Sequence, residues 1–243
     1  MIADILLYCL LAGGAFVAAA LAAVTGFGGA AVLLPILVFA FGVRDAIPIL
    51  TVAQLIGNGS RVWFNRKELE LRVVGWFALG GVPAALVGGF LFASAPLPAL
   101  KRLLGFFLLL IVAYRHIGRS SPFRPSLRGF SVIGAVFSFL SALLGSVGPL
   151  MAPFFLAYGL VKGAYIGTEA FATVVMHVAK LVAYGGTSIL TVDNVIAGLA
   201  LGPIMIFGSF VGKRILDRLP ERLFVLIIEA TLIIAGLGFL IRG

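Results

Sequence analysis

Two short series of polar residues stand out in a chain that is otherwise apolar. Thr51, Gln54, Asn58 and Arg61 follow one another at spacings of three, four and three residues. At ~100° per residue they share one face of a helix. Glu169, Thr173, His177 and Lys180 do the same at spacings of four, four and three. Arg61 and Lys180 offer a planar fork and a point charge to an anion. Glu169 and His177 can exchange a proton near neutral pH once their surroundings move them there. Gln54, Asn58 and Thr173 supply neutral hydrogen bonds. Other readings stay open. Arg61 and Lys180 each lie about a turn from a helix end and can snorkel to an interface. Glu169 can pair with Lys162, and His177 can make a hydrogen bond between helices.

These residues need elements to hold them, and the composition says in what solvent. Of 243 residues, 62% are hydrophobic and 11% are charged, with a mean hydropathy of +1.19. No soluble domain hides that much apolar surface, so the chain is read as an all-α, multi-pass membrane protein. The net charge of +9 sits mostly in short loops between apolar runs. There, membrane topology and anionic headgroups account for it, and nucleic acid is excluded as a partner. Membrane lipids are the expected surroundings, and a homo-oligomer is compatible with them. Cys9 is the only cysteine, so no disulfide, thiolate metal cage or redox pair can form within the chain. The N-terminus carries Asp4 and no cleavage pattern, and residues 5–24 read as a retained helix.

Ten apolar segments follow, in two sets of five. The first helix ends in Val24-Thr25-Gly26-Phe27-Gly28-Gly29, and the short segment after it, Gly28 to Phe41, is too brief for a ~30 Å hydrocarbon core. Leu144-Gly145-Ser146-Val147-Gly148-Pro149 repeats the break in the second set. One offset of about 119 residues relates Gly26 to Gly145, Gly29 to Gly148, Gln54 to Thr173, Asn58 to His177 and Arg61 to Lys180, which marks an internal repeat. Domains are therefore assigned as a first repeat over 1–118, a linker over 119–128 and a second repeat over 129–243. A helix broken within a membrane frees backbone groups that are tolerated only against protein or a watery cavity. Matching breaks in two halves point to a transport site at Gly26, Gly28, Gly29, Gly145 and Gly148, where helix N-termini can meet an anion. The bland reading of the same glycines is close helix packing.

Five segments per half make the halves inverted if every segment crosses. On that reading twelve of the 18 Lys and Arg fall on one side, in loops 65–72, 115–128, 213–222 and at Lys162. The positive-inside rule makes that side cytoplasmic and puts the N-terminus outside, in a cell inner membrane. Enzyme motifs are missing: there is no HExxH, GxSxG or Walker sequence, so no catalytic residue, metal or cofactor is assigned.

The glycine break after the first helix, its second copy at Gly145 to Pro149, the short helix ending near Pro35 and Gly42, and the Pro98 and Pro220 turns together resemble the TauE/SafE sulfite exporter family. The likeness spans nearly the whole chain. It implies a bacterial inner-membrane carrier, an exporter of sulfite, thiosulfate or an organosulfonate; alternating access is expected, and Glu169 and His177 are the proton-coupling candidates by their own chemistry. An anion channel and a carrier for a small carboxylate are the alternatives. The second copy has fewer glycines than the first, so equal roles for the two breaks do not follow.

Overall fold

The computed structural model describes residues 2–94, 96, 124–145, 147–220 and 222–223. The expected fifth and tenth segments, Leu103 to Tyr114 and Leu223 to Ile241, fall almost wholly outside the described residues, as do Pro98 and the first half of the linker. The described residues form seven α-helices and no strand: α1 (Ile2–Thr25), α2 (Gly29–Phe64), α3 (Leu71–Ser94), α4 (Gly129–Leu144), α5 (Gly148–Tyr158), α6 (Lys162–Gly185) and α7 (Val192–Arg218). α1, α3, α6 and α7 are long and apolar enough to cross a membrane. Their outer faces carry exposed Leu79, Val87, Val182, Ile196 and Phe207, as helices with lipid as solvent do.

The expected second and third segments are both present, as two helical arms of α2 that meet at Gly42. α2 runs from Gly29 to Phe64 and bends at Gly42, whose φ of 76° and ψ of 164° are not helical. The first arm, up to the bend, is about 20 Å long at ~1.5 Å per residue and cannot span the core alone. It runs back along α1: Gly29 packs on Ala18 and Ala22, and Gly14 meets Ile36. The second arm then turns and runs with α1, since Arg61 reaches Ala22. α5 is the corresponding short helix. It runs back along α4, with Tyr158 and Phe155 against Phe130 and Phe154 against Phe137.

Glycine contacts fix the directions of the rest. Gly208 faces Phe16 and Gly212 faces Ala20, so α7 runs parallel to α1. Gly80 meets Ser131 and Gly88 meets Phe139, so α3 runs parallel to α4. α7 is also parallel to the second arm of α2, through Gly198 on Val52 and Gly202 on Ile56. α6 is parallel to α3, through Gly167 on Leu69 and Gly89 on Ala183. The α2 arm and α6 run antiparallel, with Arg61 beside Glu169 and Asn65 beside Gly167. One trio, α1, α2 and α7, therefore opposes the other, α4, α6 and α3. Each half contributes two helices to its own trio and lends one to the other, so the halves are inverted in topology.

Small residues make this interlock possible, because helices without a hydrophobic drive between them associate by close packing. At its centre lies α6, with 67% of its most apolar window buried against 28–39% for the other three spans. The described basic side chains gather at one end. Arg66, Lys67 and Arg72 flank α2 and α3, Arg128 and Lys162 precede α4 and α6, and Lys213, Arg214 and Arg218 end α7. Arg66 stacks 4.4 Å over Trp63 and Arg214 lies 4.7 Å over Phe210, pairs suited to a membrane interface. At the opposite end Arg44 is the only basic residue among those described.

Candidate functional site

Where α1 stops, Thr25 holds the break. Its Oγ1 donates to the Phe27 carbonyl at 2.6 Å, and Gly26 follows at φ 83°, a conformation that costs a side chain roughly 1–2 kcal/mol. A Cβ at Gly26 would also run into the Tyr165 ring, whose hydroxyl donates to the Thr25 carbonyl at 3.0 Å. α2 starts at Gly29 behind Gly28 with no side-chain cap, and α5 starts at Gly148 behind Val147, also uncapped. Phe27 and Gly148 touch, a Cβ at the glycine coming within 3.0 Å of the Phe27 Cβ. The two helix N-termini thus converge, each with amide groups that have no partner inside its own helix.

Between them is a cavity of about 40 Å³, room for on the order of three ordered waters. Gly26, Gly28, Gly29, Gln54, Asn58, Arg61, Gly145, Gly148, Glu169, Thr173 and His177 all line it. Two sequence segments over a hundred residues apart are joined there by the Arg61–Glu169 pair, Nη1 to Oε2 at 3.4 Å. The same Nη1 donates to the carbonyls of Gly26 at 2.9 Å and Ala22 at 3.0 Å, and Nη2 donates to Asn58 Oδ1. Asn58 is itself fixed by its amide, which donates to the Gln54 carbonyl at 2.7 Å. Thr173 donates to the other Glu169 oxygen at 3.1 Å. Gln54 Nε2 lies against Gly29 at the start of α2. His177 is 4% exposed and its Nδ1 has no partner.

Arg61 is 4% exposed and Lys180 is fully buried, so neither snorkels to an interface. Nor does Glu169 pair with Lys162; it takes Arg61 and Thr173. Lys180 departs from the expectation that it lines the site. Its Nζ donates to Ser141 Oγ at 3.3 Å, and it is Ser141, one turn before Gly145, that faces the cavity. Lys180 itself is not among the residues that line the cavity. Thr51, on the same sequence face as Gln54, turns back to bond the Ile47 carbonyl at 2.7 Å and does not line the cavity.

Several lining residues carried no sequence signal. Ala22, Phe27, Ala30, Val147, Met151 and Met176 are apolar side chains like their neighbours. Ser141 stands one turn before a glycine break, which was the one available hint. Asn65, assigned to a polar turn, is buried at 2% and donates to the Arg61 carbonyl at 2.8 Å, extending α2's hold on Arg61. Among the described residues no three His, Cys, Asp or Glu side chains come together as a metal cluster would.

Taken chemically, the cavity offers two helix N-termini, a guanidinium, amide groups and a hydroxyl to one small occupant, with thioethers and an aromatic edge on the remaining walls. Such donors suit an anion with little bulk. Comparison with known proteins agrees in class. The family described as sulfite exporter TauE/SafE matches residues 10–239. The chain is 28% identical over 255 residues to the probable membrane transporter protein YjnA of Bacillus subtilis (strain 168), covering 92% of this chain and 96% of that protein. No solved structure matches it. With a family match that runs almost from end to end, the chain belongs to the TauE/SafE sulfite exporter family and is a membrane transporter protein.

Proposed function

We propose that the chain is a secondary carrier that exports a small sulfur-containing anion, sulfite or thiosulfate before a larger organosulfonate, across the bacterial inner membrane by alternating access. The observation that carries this reading is the Arg61 guanidinium, buried where two uncapped helix N-termini meet. A buried cation costs several kcal/mol unless it is paired; Glu169 and neighbouring oxygens hold Arg61, and the two helix N-termini beside it add donors for an anion. The cavity volume of about 40 Å³ favours a compact oxyanion over one with an organic tail. Near-complete burial of Asn58, Arg61, Glu169 and His177 supports an occluded carrier rather than an open pore, whose lining would meet water. The basic end of the bundle is the cytoplasmic one by the positive-inside rule, and the N-terminus is outside. Proton coupling runs through Glu169 or His177, the titratable groups facing the cavity from α6.

Reconstitution into liposomes tests the reading. Saturable flux of sulfite and thiosulfate, faster than that of small carboxylates, is expected, and Asn58→Ala and Gln54→Ala should each slow it. Fast, non-saturating conductance would replace the carrier with a channel. Equal or faster carboxylate flux would remove the sulfur anion as cargo.

A further inference from the structure

Arg61 has more acceptors than one of its nitrogens can serve well. Nη1 carries two hydrogens and faces three oxygens: Gly26 at 2.9 Å, Ala22 at 3.0 Å and Glu169 Oε2 at 3.4 Å. Ala22 belongs to the last turn of α1, and Gly26 directly follows that helix. Their positions are set by the end of a helix, and the Ala22 carbonyl is held further by the Gly26 amide, which donates to it at 2.8 Å. The carboxylate is the longest of the three contacts and sits on a side chain that can rotate. It is the one an incoming anion can displace without disturbing the end of α1.

Charge points the same way. Lys180 is fully buried and its Nζ donates to Ser141 Oγ, and among the described residues no carboxylate forms an ion pair with it. The site region therefore holds two cations and one carboxylate. With Glu169 ionised, one positive charge is left over, which a monoanion balances. A dianion brings one negative charge too many, and a low-dielectric interior does not tolerate an unbalanced charge.

We propose that Glu169 is the stand-in for the cargo: its carboxylate holds Arg61 while the site is empty, and it takes a proton and yields Arg61 when a dianion binds. This rests on the anion-carrier reading above. The proton comes from water on the side to which the site is open and adds to Oε2. It leaves on the other side as the dianion departs and the carboxylate returns to Arg61. Only an O–H bond is made and broken, and a proton crosses with each dianion but not with a monoanion.

The groups facing Glu169 are few. α2 contributes Arg61, and α6 itself contributes Tyr165, Thr173 and, farther along, His177 and Lys180. α1, α4 and α5 bring only Ala22, Gly26, Ser141, Gly148 and Met151 to the cavity, none of them titratable near neutral pH. From the loop before α3, Glu70 approaches only by its backbone amide, which donates to Thr168 Oγ1.

The test uses the purified full chain in weakly buffered detergent with a pH-sensitive dye. Thiosulfate, a dianion at neutral pH, and methanesulfonate, a monoanion, are the probes. Wild type should take up a proton on binding thiosulfate and none on binding methanesulfonate. Glu169→Gln should still bind thiosulfate but with no proton uptake, while His177→Gln should keep the wild-type proton ratio for whatever it binds. Thiosulfate bound by wild type without proton uptake would overturn the proposal. So would uptake that survives Glu169→Gln and vanishes in His177→Gln, which would move the proton to the imidazole. If Glu169→Gln does not fold, the contrast between the two probes on wild type decides alone. Failure of wild type to bind either probe would remove the anion-carrier reading itself.

Discussion

The two helix breaks are built alike and furnished differently. Gly26 and Gly145 sit at φ 83° and 81°, and each precedes a short, uncapped helical stretch, the first arm of α2 and α5. At the first break, Arg61 reaches the carbonyls of Ala22 and Gly26 and Tyr165 covers Gly26. At the second, the repeat-related cation, Lys180, stops at Ser141. The carbonyl of Ala142 there takes the Tyr184 hydroxyl at 2.7 Å, and a Cβ at Gly145 would meet nothing closer than Ile47, at 3.5 Å. An inverted repeat thus copies the scaffold and the cation without copying what the cation reaches. On the proposed reading, recognition lies with the first half's guanidinium, and the second half supplies a carboxylate to hold it and an ammonium to bias the field.

The largest effect should come from cutting the pair that joins the halves. Arg61→Ala leaves Glu169 buried and unpaired, a loss of about 3–5 kcal/mol, seen as a lowered unfolding temperature in detergent. Adding Glu169→Gln should recover most of that stability but not anion binding. If Lys180→Ala costs as much as Arg61→Ala, the contrast between the halves is wrong. Next come the glycines. Gly145→Ala should cost roughly 1–2 kcal/mol, the strain of a left-handed residue, whereas Gly26→Ala should cost clearly more, because its Cβ also meets the Tyr165 ring. Equal melting temperatures for the two would mean that the breaks are equivalent after all. The smallest stability change is expected for Lys180→Met. Replacing a buried charge by an apolar side chain of like volume is often neutral or stabilising. Anion affinity should nonetheless fall about tenfold, since a charge a turn or two away is worth about 1–2 kcal/mol at an effective dielectric near 20. An affinity unchanged in a titration would take Lys180 out of the charge count.

Periodicity was enough to find the site's polar face, because Gln54, Asn58 and Arg61 must share a side of any helix they form, and the repeat offset transferred that face to Thr173 and His177. The glycine breaks were legible for the same reason, since little else explains three glycines in an apolar run. Depth was not legible. Arg61 and Lys180 occupy equivalent sequence positions, yet one lines the cavity and the other stops at Ser141 beside it, a difference set by contacts between helices. The break between the second and third segments was legible too, since Gly42, at a φ of 76°, falls where the sequence ends one apolar run and starts the next. Tyr165 and Asn65 could not be found from spacing, as their roles come from contacts with α1 and α6 made only in the folded bundle.

The claim on which all of this turns is that a sulfur oxyanion binds at Arg61. A ligand that binds only the folded state stabilises it by about 2.7 kcal/mol at a hundred times its Kd, and so raises the unfolding temperature. Thiosulfate should therefore shift the melting of wild type in detergent, and should leave that of the folded Arg61→Ala/Glu169→Gln double variant unmoved. The same shift in both proteins would contradict the account, placing the anion somewhere other than the junction of the two breaks.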